Sequence, residues 1–166
     1  MLDWLEIFER LGAALAIGSA IGLNRELHHK WVGMRTLGLV ALGSAVAVLA
    51  VVVATKNPDA DASRVIQGVI TGVGFLGAGV ILHGPTGVQV QGLTTAAAIW
   101  ITASLGVLCG FGAWRILVIA SVLTFFLLIA GAFIEKWSNK LQLIAGASIE
   151  KWRNKFLLIA RRSIEN

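Results

Sequence analysis

The 166-residue sequence predicts an all-α protein: a polytopic helical membrane protein with about five transmembrane helices and a short basic amphipathic C-terminal tail. Three observations predict this class. Hydrophobic residues make up 57% of the chain and charged residues only 14%, too few charges to cover a water-soluble globule. Apolar runs of membrane-spanning length recur along the chain, and seven of the 14 Lys and Arg lie after residue 135. The composition excludes a disordered chain and argues against a soluble enzyme.

Five segments approach the length of about 20 apolar residues that the hydrocarbon core of a bilayer requires. The first begins with Glu6, Glu9 and Arg10, which we expect in the headgroup region, and the other four contain no charged residue. The predicted spans are 5–23, 37–54, 65–83, 93–110 and 116–134. They predict a transmembrane domain over residues 1–134.

Residues 135–166 are predicted to form a cytoplasmic basic amphipathic tail. A 15-residue repeat runs through it, because the sequence 128–140 recurs almost unchanged at 143–155. Apolar Ile149, Trp152 and Phe156 recur at helical spacing with Lys and Arg in other directions, a pattern typical of a helix on an anionic leaflet. A poorly ordered polar tail, a recent duplication and an artefact of cloning remain alternatives at this point.

The distribution of Lys and Arg predicts orientation, because cytoplasmic loops of membrane proteins are enriched in both residues. The loop 24–36 and the tail share one side and carry most of them, whereas Asp3, Glu6 and Glu9 lie on the other. We therefore expect the N-terminus outside and the C-terminus in the cytoplasm of a bacterial inner membrane. The net charge of +5 then reports topology, and we expect no nucleic acid partner.

Most of the 19 glycines lie inside predicted spans. Three pairs have the small-xxx-small spacing that lets helix backbones approach: Gly18 and Gly22, Gly68 and Gly72, and Gly106 and Gly110. Packing within the chain is favoured over dimerisation, although a homo-oligomer stays open. The sequence 72–77 matches GxGxxG, but it lies inside an apolar span without the strand that a nucleotide site needs.

The candidate functional residues are polar or aromatic groups at or near the ends of the predicted spans. Helix starts at Thr36 and Thr94 would carry partial positive charge. With Arg25 and Arg35 they predict a cup for an anionic group: a lipid phosphate, a phosphate ligand or a partner carboxylate. Glu26 is expected to pair with Arg35 or Lys30, and simple anchoring at the interface is the alternative for these side chains. The full set comprises Asn24, Arg25, Glu26, Arg35, Thr36, Thr94 and Thr95 inside, Arg64 and Gln67 outside, and Trp100 within the fourth span.

The sequence predicts no catalytic set, no metal site and no cofactor, since no Cys, His and acidic residues stand at ligand spacing. The last four spans contain no Asp or Glu, which weakens a Mg²⁺ pathway without excluding it.

At these residues the chain resembles the MgtC/SapB family of bacterial inner-membrane proteins. The matching segments are 21–26, 33–36, 39–43, 63–64, 72–81 and 92–97 with Trp100. The resemblance implies a five-span domain, a cytoplasmic C-terminus, and a role in growth under magnesium limitation and, in pathogens, in survival inside phagocytes. It also implies action on membrane machines, notably the rotary ATP synthase, rather than Mg²⁺ movement. Leu37 stands where the family often has His or another polar residue, and only some 30 residues follow the last span, so the role is expected to be closer to the shorter SapB-like members.

We therefore expect a non-enzymatic protein that modulates membrane machinery in magnesium-limitation or acid-stress physiology through helix–helix contacts. Its expected partners are the lipid bilayer and a membrane complex such as ATP synthase. The alternative is a small transporter or channel for an ion such as Mg²⁺ or for a small solute. A polar cavity would favour transport, and an exposed small-residue face would favour partner binding.

Overall fold

The computed structural model describes residues 2–55, 58–83, 90–131 and 133, and it confirms the all-α class. The helices in these residues are α1 (Trp4–Leu27), α2 (Met34–Ala54), α3 (Pro58–Gly79), α4 (Leu93–Phe111) and α5 (Trp114–Gly131). The predicted tail, residues 135–166, lies outside the described residues, and of its repeats only 128–131 and 133 are described. Residues 1–126 form one compact unit and residues 127–166 a second, of which only the end of α5 is described.

Helices α1, α2 and α4 pack closely against one another, and glycines make the contacts. Gly18 lies against the Leu37 carbonyl and Gly22 against Met34, so α1 and α2 are antiparallel. Gly106 lies against the Ala41 carbonyl, and Gly110 lies against the Ala45 carbonyl one turn further along both helices, so α2 and α4 are parallel. Two of the three predicted glycine pairs therefore pack within the chain, as small residues do where helices meet in lipid.

The third helix differs from its prediction at both ends. The predicted span 65–83 is wrong by several residues, since α3 runs from Pro58 to Gly79. Proline suits the first turn of a helix, where its missing N–H has no partner to lose. After α3, strands β1 (Leu82–His83) and β2 (Val90–Gln91) pair antiparallel. Gly92 then turns the chain with φ of 93°, so close to the Val80 carbonyl that no Cβ would fit.

The first helix is also longer than predicted. It continues past Leu23 to Leu27 and includes Asn24, Arg25 and Glu26, which the sequence placed in a loop. Arg25 in the last turn of α1 suits the negative end of the helix dipole. The helix ends where the N–H groups of His28 and Lys30 both bond to the Arg25 carbonyl, with His29 at φ of 53°.

By length and composition, α2, α4 and α5 are the helices in the described residues that could cross a membrane. Large apolar side chains also lie exposed on the first unit, including Leu39, Phe75 and Val122. Lipid contact accounts for this exposure, because apolar patches of this extent are uncommon on soluble monomers. The chain is thus a helical membrane protein, whereas membrane crossing by α1 and α3 stays a prediction.

Candidate functional site

The C-terminus of α1 and the N-termini of α2 and α4 meet at one end of the bundle. The contacts of Arg25 and Glu26 define this region, which we call the Arg25 end. Arg25 is only 3% exposed, and its Nη2 donates a hydrogen bond of 2.5 Å to Oγ1 of Thr95 in the first turn of α4. The adjacent α1 and α4 ends thus meet through one buried cation and one buried hydroxyl.

Glu26 of α1 reaches the start of α2. Its Oε2 accepts a hydrogen bond of 3.1 Å from the backbone N–H of Met34. Gly33, the residue before α2, has no side chain that could cap the helix. The carboxylate of Glu26 on α1 caps it instead. An anion there also suits the positive end of the α2 dipole.

The structure corrects several details of the predicted anion cup. The helices start at Met34 and Leu93 rather than at Thr36 and Thr94. Arg35 is exposed, and within the described residues it forms no ion pair with Glu26. Thr36 and Thr94 are exposed as well, while Asn24 is half-buried with its carbonyl 2.7 Å from Nδ1 of His28. The structure therefore brings Arg25 and Thr95 together and leaves Arg35 outside.

The remaining predicted residues do not join this end. Arg64 and Gln67 are exposed near the start of α3, where the carboxylate of Asp61 accepts a hydrogen bond from the Thr55 hydroxyl. Trp100 lies two turns inside α4 and is 49% exposed, so its ring faces outward from the packed bundle.

Arg10 is a buried polar residue that the sequence reading missed. It is only 9% exposed, pairs with Glu6 one turn earlier, and donates from Nη1 to the Gly110 carbonyl at 2.8 Å. The Gly112 backbone lies against its guanidinium at the end of α4. The i, i+4 spacing of Glu6 and Arg10 was the available signal, because such pairs face each other on a helix.

Together, Arg10 and Arg25 connect α1 to both ends of α4. The two residues lie fifteen positions apart on α1, about 22 Å at 1.5 Å per residue. Thr102, between their contacts on α4, is fully buried, and its hydroxyl has no hydrogen-bond partner in the part of the chain that the structure describes. Buried polar groups therefore mark both ends and the middle of the α4 helix.

The three glycine pairs have different surroundings. A Cβ added to Gly18, Gly22, Gly106 or Gly110 would collide with a neighbouring helix. Among the described residues, a Cβ on Gly68 or Gly72 of α3 would have nothing within 4 Å. The third pair is thus an open small-residue face, which we call the α3 glycine face.

Comparison with known proteins agrees with the helical membrane architecture. The model of the MgtC family matches residues 11–137. Protein SrpB of Synechococcus elongatus is 45% identical over 132 residues, which cover 74% of this chain and 72% of SrpB. Protein MgtC of Salmonella typhimurium is 40% identical over 111 residues, which cover 67% of this chain and 46% of MgtC.

An uncharacterized protein of Haemophilus influenzae is 37% identical over 145 residues, covering 83% of this chain and 60% of that protein. The chain thus spans less than two thirds of this protein and of MgtC. No solved structure matches it. The family match covers most of the helical region described above, and the chain therefore belongs to the MgtC family.

Proposed function

We propose that this chain is a non-enzymatic, multi-pass protein of the bacterial inner membrane that modulates a membrane complex through helix–helix contacts. The proposed setting is magnesium limitation or acid stress, and the proposed target is the rotary ATP synthase. Membership of the MgtC family supports this choice, because the resemblance to that family implies action on membrane machines. The proposed orientation has the N-terminus outside and the C-terminus in the cytoplasm.

The α3 glycine face is the observation that carries the proposal. Two glycine pairs are already occupied by α2, whereas no other part of the described chain lies close to Gly68 and Gly72. Lipid gives little hydrophobic drive for helix association, so close backbone contact between small residues is a main source of binding energy. The α3 glycine face offers such a contact to a helix of another protein.

ATP-driven proton pumping by inverted inner-membrane vesicles tests this function. We expect vesicles containing the wild-type chain to pump more slowly than vesicles without it. Replacing Gly68 and Gly72 together by leucine should restore pumping, because the bulky side chains block close helix approach. Gly43→Leu is the matched control, since no described residue lies within 4 Å of the Cβ position of Gly43 on α2 either.

Equal pumping with and without the wild-type chain would contradict the proposed target. Restoration by Gly43→Leu as large as that by the α3 double variant would contradict the proposed face. Immunoblotting of the vesicles must show equal amounts of each variant, so that loss of the protein does not imitate loss of contact.

Transport of an ion such as Mg²⁺ or of a small solute is the second candidate. The unpartnered hydroxyl of Thr102 and the buried guanidinium groups of Arg10 and Arg25 favour it, because polar groups within membrane bundles often mark solute pathways. Against it, Ala14 and Ile21 of α1 are fully buried between those arginines, so apolar packing separates the two ends.

A further inference from the structure

The two buried arginines of α1 have different electrostatic surroundings. Arg10 has the carboxylate of Glu6 and the carbonyl of Gly110 as partners. Arg25 is more deeply buried, yet its side chain contacts the neutral hydroxyl of Thr95. Its Nε is buried, and within the described residues it has no hydrogen-bond partner and no carboxylate at ion-pair distance.

The position of Arg25 further favours an anion beside its guanidinium. Its guanidinium touches the first turn of α4, the end of a helix that carries partial positive charge. The neighbouring helix α2 has the carboxylate of Glu26 at its start, whereas α4 begins after Gly92 without a side-chain cap. The backbone carbonyl of Arg25 could offset part of the guanidinium charge, but it already accepts hydrogen bonds from the N–H groups of His28 and Lys30.

A buried charge is costly unless it is paired and hydrogen-bonded. The α4 N-terminus and the Arg25 guanidinium present donors at one place, and helix N-termini are established anion sites in proteins. Guanidinium groups favour phosphate oxygens because the planar fork can donate two parallel hydrogen bonds. Thr94 is exposed in the same turn of α4, so the site borders the surface.

We propose that Arg25, Thr95 and the α4 N-terminus form a binding site for a phosphate group, supplied either by an anionic lipid headgroup or by free phosphate. This site lies at the Arg25 end and does not involve the α3 glycine face. A result that contradicts the proposed function would therefore leave this site unaffected, and the reverse also holds.

Thermal unfolding of the purified full chain in phosphatidylcholine nanodiscs tests the site. One arm adds inorganic phosphate, a second adds acetate, and a third replaces part of the lipid by phosphatidylglycerol. We expect phosphatidylglycerol to raise the unfolding midpoint of the wild type. A matching rise with inorganic phosphate assigns the site to the phosphate group itself, and its absence assigns the site to the lipid headgroup.

Variants separate a specific site from general charge attraction. Arg25→Gln should weaken the apparent affinity for the responding probe about tenfold or more, as expected for loss of a charge-assisted hydrogen bond. Arg35→Gln, an exposed arginine at the start of α2, should respond like the wild type. If Arg25→Gln does not fold, Thr95→Val keeps the side-chain size, removes the hydroxyl and should also weaken the response.

Three results would overturn the proposal. The first is a wild type that responds to neither phosphatidylglycerol nor phosphate. The second is an Arg35→Gln variant that loses as much response as Arg25→Gln or Thr95→Val. The third is an equal response to acetate, which would replace phosphate recognition by general anion binding.

Discussion

Arg10 of α1 donates a hydrogen bond of 2.8 Å from Nη1 to the carbonyl of Gly110, and so closes the C-terminal end of α4 from outside that helix. The last carbonyls of a helix have no partner within it and carry partial negative charge. Gly112, at φ of 69°, turns the chain away and leaves room for the guanidinium. A residue 100 positions earlier in the chain thus provides the cap.

Replacing Arg10 by methionine should destabilise the bundle by about 1–3 kcal/mol, because the Gly110 carbonyl loses its buried donor. Methionine is unbranched, like the methylene stem of arginine, so packing changes little. Unfolding in mixed detergent micelles measures the effect. Arg115→Met at the exposed start of α5 is the control and should change stability by less than about 0.5 kcal/mol.

Replacing a glycine by alanine should not lower stability at Gly68 on α3, but it should lower stability at Gly106 on α4. A Cβ at Gly106 would lie 2.3 Å from the Ala41 carbonyl oxygen, so Gly106→Ala should cost about 1–3 kcal/mol through overpacking. Gly68→Ala should be neutral or stabilise by about 0.5–1 kcal/mol, because its Cβ meets nothing and alanine favours the helix. Equal losses of stability in the two variants would contradict the packing described for α2 and α4.

Glu26 is expected to act through the start of α2. Glu26→Ala should lower stability by about 1 kcal/mol, the usual effect of losing a helix N-cap. Glu26→Gln retains an oxygen acceptor for the Met34 N–H and should lose less. Chemical unfolding of both variants in micelles measures the difference, and a glutamine variant as unstable as the alanine variant would contradict the capping role.

The orientation of the chain can be tested with a reporter fused after Asn166. Alkaline phosphatase is active only in the periplasm, whereas green fluorescent protein fused the same way fluoresces in the cytoplasm. The Lys and Arg of the tail predict an inactive phosphatase and a fluorescent protein. An active phosphatase would place the C-terminus outside.

The sequence predicted all five helices because each depends on a local signal, a long apolar run. The end of α1 could not be predicted in this way, because Asn24, Arg25 and Glu26 look like loop residues. Their helical state depends on α2 and α4, which supply the partners Met34 and Thr95.

Contacts between segments distant in sequence also explain why only part of the candidate site was predicted. Charge alone did not separate Arg25 from Arg35, although one is buried and the other exposed. The contact of Arg10 with the Gly110 carbonyl was not predicted, because the two residues are 100 positions apart in the sequence. The glycine spacing was equally ambiguous, since the free pair on α3 has the same pattern as the two packed pairs.

Ion flux in liposomes that contain only the purified protein tests the central claim most directly, namely that the chain acts on another membrane complex rather than moving solute. The claim predicts flux of Mg²⁺ and protons no faster than through empty liposomes. Robust flux that Glu26→Gln abolishes would contradict it and would identify the chain as a transporter or channel.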